Sequence, residues 1–114
     1  MRLRHVRLSG FGKYLPPRVV TSAELEKKMS LPEGWIASHT GVEERRYSDE
    51  LQTEMGAKAA REALDDAGLK VTDLSLIIGA SGVPEQTIPC TAALLQKRLG
   101  PEAAGIGGFD VNTT

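Results

Sequence analysis

The sequence predicts a layered α/β domain with a largely parallel sheet flanked by helices, and three observations carry that expectation. Apolar runs alternate with amphipathic helical patterns in the order strand, helices, strand, helix, strand. That order favours helices packed on a parallel sheet through right-handed crossovers. Residues 74–80 are apolar apart from Ser75, as a strand covered on both faces would be. The composition is 40% hydrophobic but only 4% aromatic, so aliphatic and alanine packing must build the core. With 114 residues, the chain is one domain or a portion of one. Three strands are few for such an architecture, and residues 1–114 read as part of a domain whose sheet takes further strands from elsewhere.

Residues 3–12 read as the first strand. Val6 and Leu8 alternate with Arg7, and Gly10-Phe11-Gly12 closes the run. A third glycine at nucleotide-loop spacing is missing, because position 15 is Leu, so a dinucleotide fingerprint is not supported. Tyr14-Leu15-Pro16-Pro17 is a stiff extended turn. Thr21 and Glu24 form a capping box ahead of a short helix through Leu25 and Met29. Pro32 suits the first turn of another short helix holding Trp35 and Ile36. Gly41 is placed to end it in a left-handed conformation, and residues 42–47 follow as a charged extended segment.

Residues 50–67 carry the clearest helical period. Met55, Gly56, Ala59, Ala60, Ala63, Leu64 and Ala67 share one half of the wheel, with Lys58, Arg61, Glu62 and Asp65 on the other. Glu54 and Lys58 stand in the favourable order for an i,i+4 pair, and Gly68 is the stop. After the apolar run at 74–80 and a loop from Ser81 to Thr87, Pro89 opens a helix through Leu94, Leu95 and Leu99. Gly100-Pro101 closes it. Residues 105–114 read as a final buried strand, with Asp110 buried in it and serving the backbone or a neighbouring polar group. Asn112, Thr113 and Thr114 stand at its carboxyl edge, where open α/β sheets collect their chemistry.

Charge and composition narrow the function. A net charge of −1 gives no basic excess for nucleic acid. The longest apolar run is far short of a membrane span, and no apolar stretch follows Met1-Arg2-Leu3-Arg4-His5 as in a signal peptide. One cysteine excludes an internal disulfide and fits a reducing cytoplasm. No His, Cys and carboxylate cluster has metal spacing.

Four segments in register resemble one family. Asp110-Val111-Asn112-Thr113-Thr114 is similar to the stretch just before the active-site cysteine of beta-ketoacyl-ACP synthase III. Trp35-Ile36-Ala37-Ser38-His39-Thr40-Gly41-Val42-Glu43-Glu44-Arg45 resembles that family's Trp-Ile and Arg-Thr-Gly-Ile segment. Gly10 to Pro16 resembles its opening strand and turn, and Met55-Gly56 with the alanine-rich helix and Leu76-Ile77-Ile78 match in order and spacing. The resemblance implies the thiolase fold and a condensing enzyme. A cysteine thiolate takes an acyl group from acyl-CoA, and a His and an Asn assist its condensation with a malonyl-type thioester on acyl carrier protein. It implies no catalytic residue in this chain: the cysteine is expected directly after Thr114, and the His and Asn later still. It also implies acyl-CoA as a substrate in place of a permanently bound cofactor, a homodimer, and no nucleic-acid or membrane partner.

By the same resemblance, Trp35 stacks on the CoA adenine and Thr40 brings a hydroxyl to that region. His39 stands where the family usually has Arg, and an imidazole serves phosphate less well than a guanidinium. Ile88 falls in the loop that crosses the dimer interface and floors the partner's acyl pocket. The bland alternatives are a core tryptophan, a helix-end threonine, a solvated histidine and a packing isoleucine. Arg45 and Arg46 are either phosphate contacts or a charged surface with Glu43 and Glu44. Cys90, near a helix N-terminus, is read as inert, because no His lies near it in sequence. Two explanations of the chain stay open: the front piece of a longer acyltransferase, a divergent member acylating a different acceptor included, or a natural non-catalytic subunit that completes a partner's active site.

Overall fold

The computed structural model describes residues 4–112. The fold has two compact units, one formed by Leu15–Asp49 and the other joining the residues up to Tyr14 with those from Glu50 onward.

The smaller unit is a two-stranded antiparallel ribbon with two helices between its strands. Strand β1 (Arg18–Thr21) pairs with β2 (Glu44–Tyr47), Arg18 opposite Tyr47 and Thr21 opposite Glu44. Helix α1 (Ser22–Met29) starts at the expected capping box: Glu24 Oε2 accepts the Thr21 N–H at 2.8 Å, and Thr21 Oγ1 accepts the Glu24 N–H at 3.2 Å. The Thr21 amide and then its hydroxyl hold the Glu24 carboxyl below its ordinary range. Helix α2 (Trp35–Thr40) ends at Gly41, whose φ of 70° is left-handed as expected. Pro32 lies ahead of α2 and outside it, its carbonyl accepting the Trp35 N–H at 3.1 Å. The first-turn position expected for the proline is therefore not where the helix begins.

The larger unit packs helices on a parallel pair of strands. Helix α3 (Gln52–Ala67) leaves Lys58, Arg61, Glu62 and Asp65 in solvent as its period predicts, but of the expected inward residues only Leu64 is buried; Met55, Gly56, Ala59, Ala60, Ala63 and Ala67 are half-buried, and Thr53 and Ala57 are buried from outside that set. The expected Glu54–Lys58 pair is not made. Glu54 reaches Arg98 at 2.9 Å, and Lys58 pairs with Glu50, because partners from other segments lie closer than the next helical turn. Strand β3 (Leu76–Ala80) runs parallel to β4 (Gly107–Val111), with Ile77 opposite Gly108 and Gly79 opposite Asp110. Helix α4 (Thr91–Leu99) covers one face of this pair, and its cap is Cys90, so Pro89 precedes the helix and does not open it. The core joins Leu64, Val71, Ile77, Ala92, Leu99 and Ala103.

Three expectations about strands are corrected. Residues 4–12 form no strand among the described residues. Val6 and Leu8 are exposed, and the segment is tied instead to α3, the Phe11 N–H donating to Asp66 Oδ2 at 2.9 Å and the Lys13 N–H to Glu62 Oε2 at 3.1 Å. Alternation specifies a strand only where a ladder partner completes it. The final strand is not buried: every residue of β4 is exposed, Asp110 included. Nor is β3 covered on both faces: helix α4 covers only the Ile77 and Gly79 side of the pair, so Leu76, Ile78, Phe109 and Val111 remain open.

Candidate functional site

Trp35 is the first residue of α2, and it is 41% exposed, so it is not a core tryptophan. His39, one turn on, stacks against it, with ring centroids 4.1 Å apart and planes within 20°. Spacing of i,i+4 on a helix brings the two side chains onto one face. The backbone then locks the imidazole, whose Nδ1 lies 2.7 Å from the Trp35 carbonyl oxygen. A carbonyl only accepts, so Nδ1 carries the proton, and in the neutral ring Nε2 is left as an acceptor. Ser38 Oγ donates to the same carbonyl at 2.9 Å. The result is a preformed aromatic platform that suits a planar ligand.

The neighbouring expected residues are more committed. Thr40 Oγ1 donates to the Ile36 carbonyl at 2.7 Å and accepts the Val42 N–H at 3.1 Å, so its hydroxyl proton is spent on closing α2. Arg45 Nη2 donates to Ser22 Oγ at 3.0 Å. Arg46 Nη1 donates to the Pro16 carbonyl at 3.2 Å, and Nη2 lies 3.8 Å from Glu44. The arginine pair thus serves its own unit as much as any surface.

One residue beneath the platform was missed by pattern. Glu26 on α1 is only 3% exposed. Its Oε2 accepts the Gly34 N–H at 2.9 Å and its Oε1 the Ile36 N–H at 2.7 Å. Periodicity assigns charged residues to the wet face, so an inward Glu is invisible to it. The available signal was the i,i+4 polar pair Ser22 and Glu26, both buried.

The larger unit carries the other expected residues. Ile88 is 83% exposed. Cys90 is half-buried and caps α4. The helix-end amides that would favour a thiolate there are taken by Asp110, whose Oδ2 accepts the Thr91 N–H and Oδ1 the Ala92 N–H, each at 2.7 Å. Partial burial pushes the Asp110 carboxyl up, but the amides of Ala92 and Thr91 outweigh it and leave the group below its ordinary range. The expected service to the backbone is thus present, although the residue is exposed. Glu85 caps α3 in the same way: Oε2 accepts the Thr53 N–H at 2.9 Å and its hydroxyl proton at 2.8 Å, in that order the causes of its lowered carboxyl pKa. Asn112 follows β4, while Thr113 and Thr114 lie outside the described residues. An apolar cavity of about 390 Å³ opens between residues 7–10, α3 and β3, lined by Leu8, Ala63, Leu64, Leu74 and Leu76 among others. Among the described residues, no three His, Cys, Asp or Glu side chains gather as a metal site requires, and no helix is long and apolar enough to cross a membrane.

Comparison with known proteins gives this geometry a context. No family model matches the chain. The beta-ketoacyl-[acyl-carrier-protein] synthase III of Laribacter hongkongensis is 38% identical over 109 residues, 94% of this chain and 34% of that protein. The synthase III of Geobacillus kaustophilus is 43% identical over 105 residues, 90% of this chain and 33% of that protein. The chain thus spans about a third of the length of the curated relatives it matches. The crystal structure of 3-oxoacyl-[acyl-carrier-protein] synthase III from Aquifex aeolicus superposes with a TM-score of 0.83 at 40% identity, covering 92% of this chain and 34% of that one. OleA from Xanthomonas campestris, at 23% identity and a TM-score of 0.77 over 92% of this chain and 35% of its own, shares the fold. The architecture is that of the thiolase-like synthases.

Proposed function

From a chain that is beta-ketoacyl-ACP synthase III-like over 90% or more of its length, we propose that residues 1–114 form the front portion of a 3-oxoacyl-ACP synthase III-like acyltransferase. The complete enzyme would take an acyl group from acyl-CoA onto a cysteine and condense it with a malonyl thioester on acyl carrier protein. The proposed cysteine comes directly after Thr114, with the His and Asn beyond it. Attack by the thiolate expels CoA and leaves an acyl thioester, so one difficult carbon–carbon bond formation is divided into two steps. This chain's share is recognition of acyl-CoA. Trp35 stacks on the adenine, His39 faces the phosphates, and Thr40 shapes the helix end between them. Ile88, on an exposed loop, contributes to a partner's acyl pocket in a cytoplasmic homodimer.

The observation that most supports the reading is the half-exposed Trp35 ring, backed by His39, within a segment similar to the synthases. The test is titration of the chain with acetyl-CoA, read by Trp35 fluorescence, since Trp35 is the sole tryptophan. Saturable quenching that dephosphorylated pantetheine thioesters do not reproduce is the expected result. An indole that ignores CoA at millimolar concentration removes the chain's proposed role.

A further inference from the structure

The buried carboxylate of Glu26 has no place in the chemistry above, and its contacts are unusually focused. It accepts the backbone N–H of the residue before Trp35 and of the residue after it, Gly34 at 2.9 Å and Ile36 at 2.7 Å. The Trp35 N–H itself is held by the Pro32 carbonyl at 3.1 Å. Three consecutive amides are thereby fixed where the ring leaves the backbone. The Glu26 carbonyl meanwhile accepts the Leu31 N–H at 2.9 Å, so one residue ties the end of α1 to the start of α2. Gly34 enters this arrangement at φ 77°, a left-handed conformation suited to glycine.

We infer that Glu26 is a positioning residue for the Trp35 indole. At 41% exposure, Trp35 is not fully held by packing, so its direction depends on the backbone that carries it. Glu26 sets that backbone through two charge-assisted hydrogen bonds, the stronger kind in proteins. His39 stacks on the indole from within the same helix, so the platform turns as one body if α2 turns. For ligand affinity the inference rests on the acyl-CoA reading; for ring placement it does not.

The test exploits the lone tryptophan. Glu26→Gln keeps size and shape but offers one acceptor oxygen and an NH2 group, which cannot accept the second amide. In the ligand-free chain we expect unchanged far-UV circular dichroism, loss of the near-UV indole signal, and a rise in acrylamide quenching of Trp35. Acetyl-CoA affinity should then fall roughly tenfold, as when a buried donor loses its partner. A folded Glu26→Gln chain with wild-type near-UV signal and quenching overturns the inference. Failure of the wild-type chain to bind acetyl-CoA sinks the functional reading instead and leaves the ligand-free readouts to decide this one. Should the variant not fold, amide hydrogen exchange of the unmodified chain serves: slow exchange at Gly34 and Ile36 is required, and exchange at the rate of open loop amides overturns it.

Discussion

Gly79 and Asp110 face each other across the parallel β3–β4 ladder, and the glycine leaves the space that the aspartate uses. A Cβ built on Gly79 would lie 2.5 Å from Asp110 Oδ1 and 3.2 Å from the Ala92 nitrogen. The carboxylate crosses that gap to accept the first amides of α4. A missing side chain on one strand thus lets a side chain of its neighbour clamp a helix.

Gly79→Ala should therefore destabilise the larger unit by about 1–3 kcal/mol, the usual cost of forcing a methyl into occupied space. The cost should be coupled to Asp110. In Asp110→Ala the clashing oxygens are gone, so the second substitution should cost less there. A double-mutant cycle from urea denaturation measures the difference. Strictly additive effects would contradict a shared contact.

The same carboxylate has an acid limit. Its pKa in the folded chain lies below the ordinary value because the helix amides favour the charged form over the burial that opposes it. A lowered pKa contributes stability that is complete above the unfolded value of about 3.9 and is lost as pH falls through the folded one. Asp110→Asn should be the less stable protein at pH 7, and the gap between the two should close below about pH 4. Denaturant midpoints measured between pH 7 and pH 2 follow this. A gap that persists to the acid end rejects the assignment.

These contacts also mark how far the sequence could be read. Helix α3 was legible because its small and charged residues separate cleanly by helical period, and the Thr21–Glu24 cap because its chemistry is local. The strand at Arg18–Thr21 was not: three β-branched residues behind a Pro-Pro turn carry little signal until β2 pairs with them. The expectation of a buried last strand took apolar residues as proof of cover, but Phe109 and Val111 only show what a covering layer would want. At the candidate site, the aromatic Trp35 drew notice through its resemblance. Glu26 did not, since a helical pattern treats any Glu as solvated and only the backbone path shows which amides reach it.

The glycines at 10 and 12 test what holds residues 4–12. A Cβ on Gly12 would collide with the backbone of Ala59 and Ala63, and one on Gly10 with the carbonyl of Ala63 and the side chain of Ala67 at 2.7 Å. Backbone cannot yield as a flexible side chain can. Gly12→Ala should lift the segment off α3 and expose the Lys13 amide now bound to Glu62. Faster hydrogen exchange at Phe11 and Lys13, with α3 itself still protected, is the expected outcome. Unchanged exchange at both amides would show that the segment is held by other contacts.

The hydrogen bond that His39 already makes gives the acyl-CoA reading a sharp consequence. Nδ1 is committed to the Trp35 carbonyl, so a phosphate could be met only at Nε2. Phosphate oxygens accept hydrogen bonds, and an unprotonated Nε2 accepts as well, so the contact requires a second ring proton. His39→Arg supplies donors that need no such change. It should bind acetyl-CoA more tightly than the native chain, as read by Trp35 fluorescence. Equal affinities for the native chain and His39→Arg would mean that the imidazole only backs the indole and never meets the phosphates.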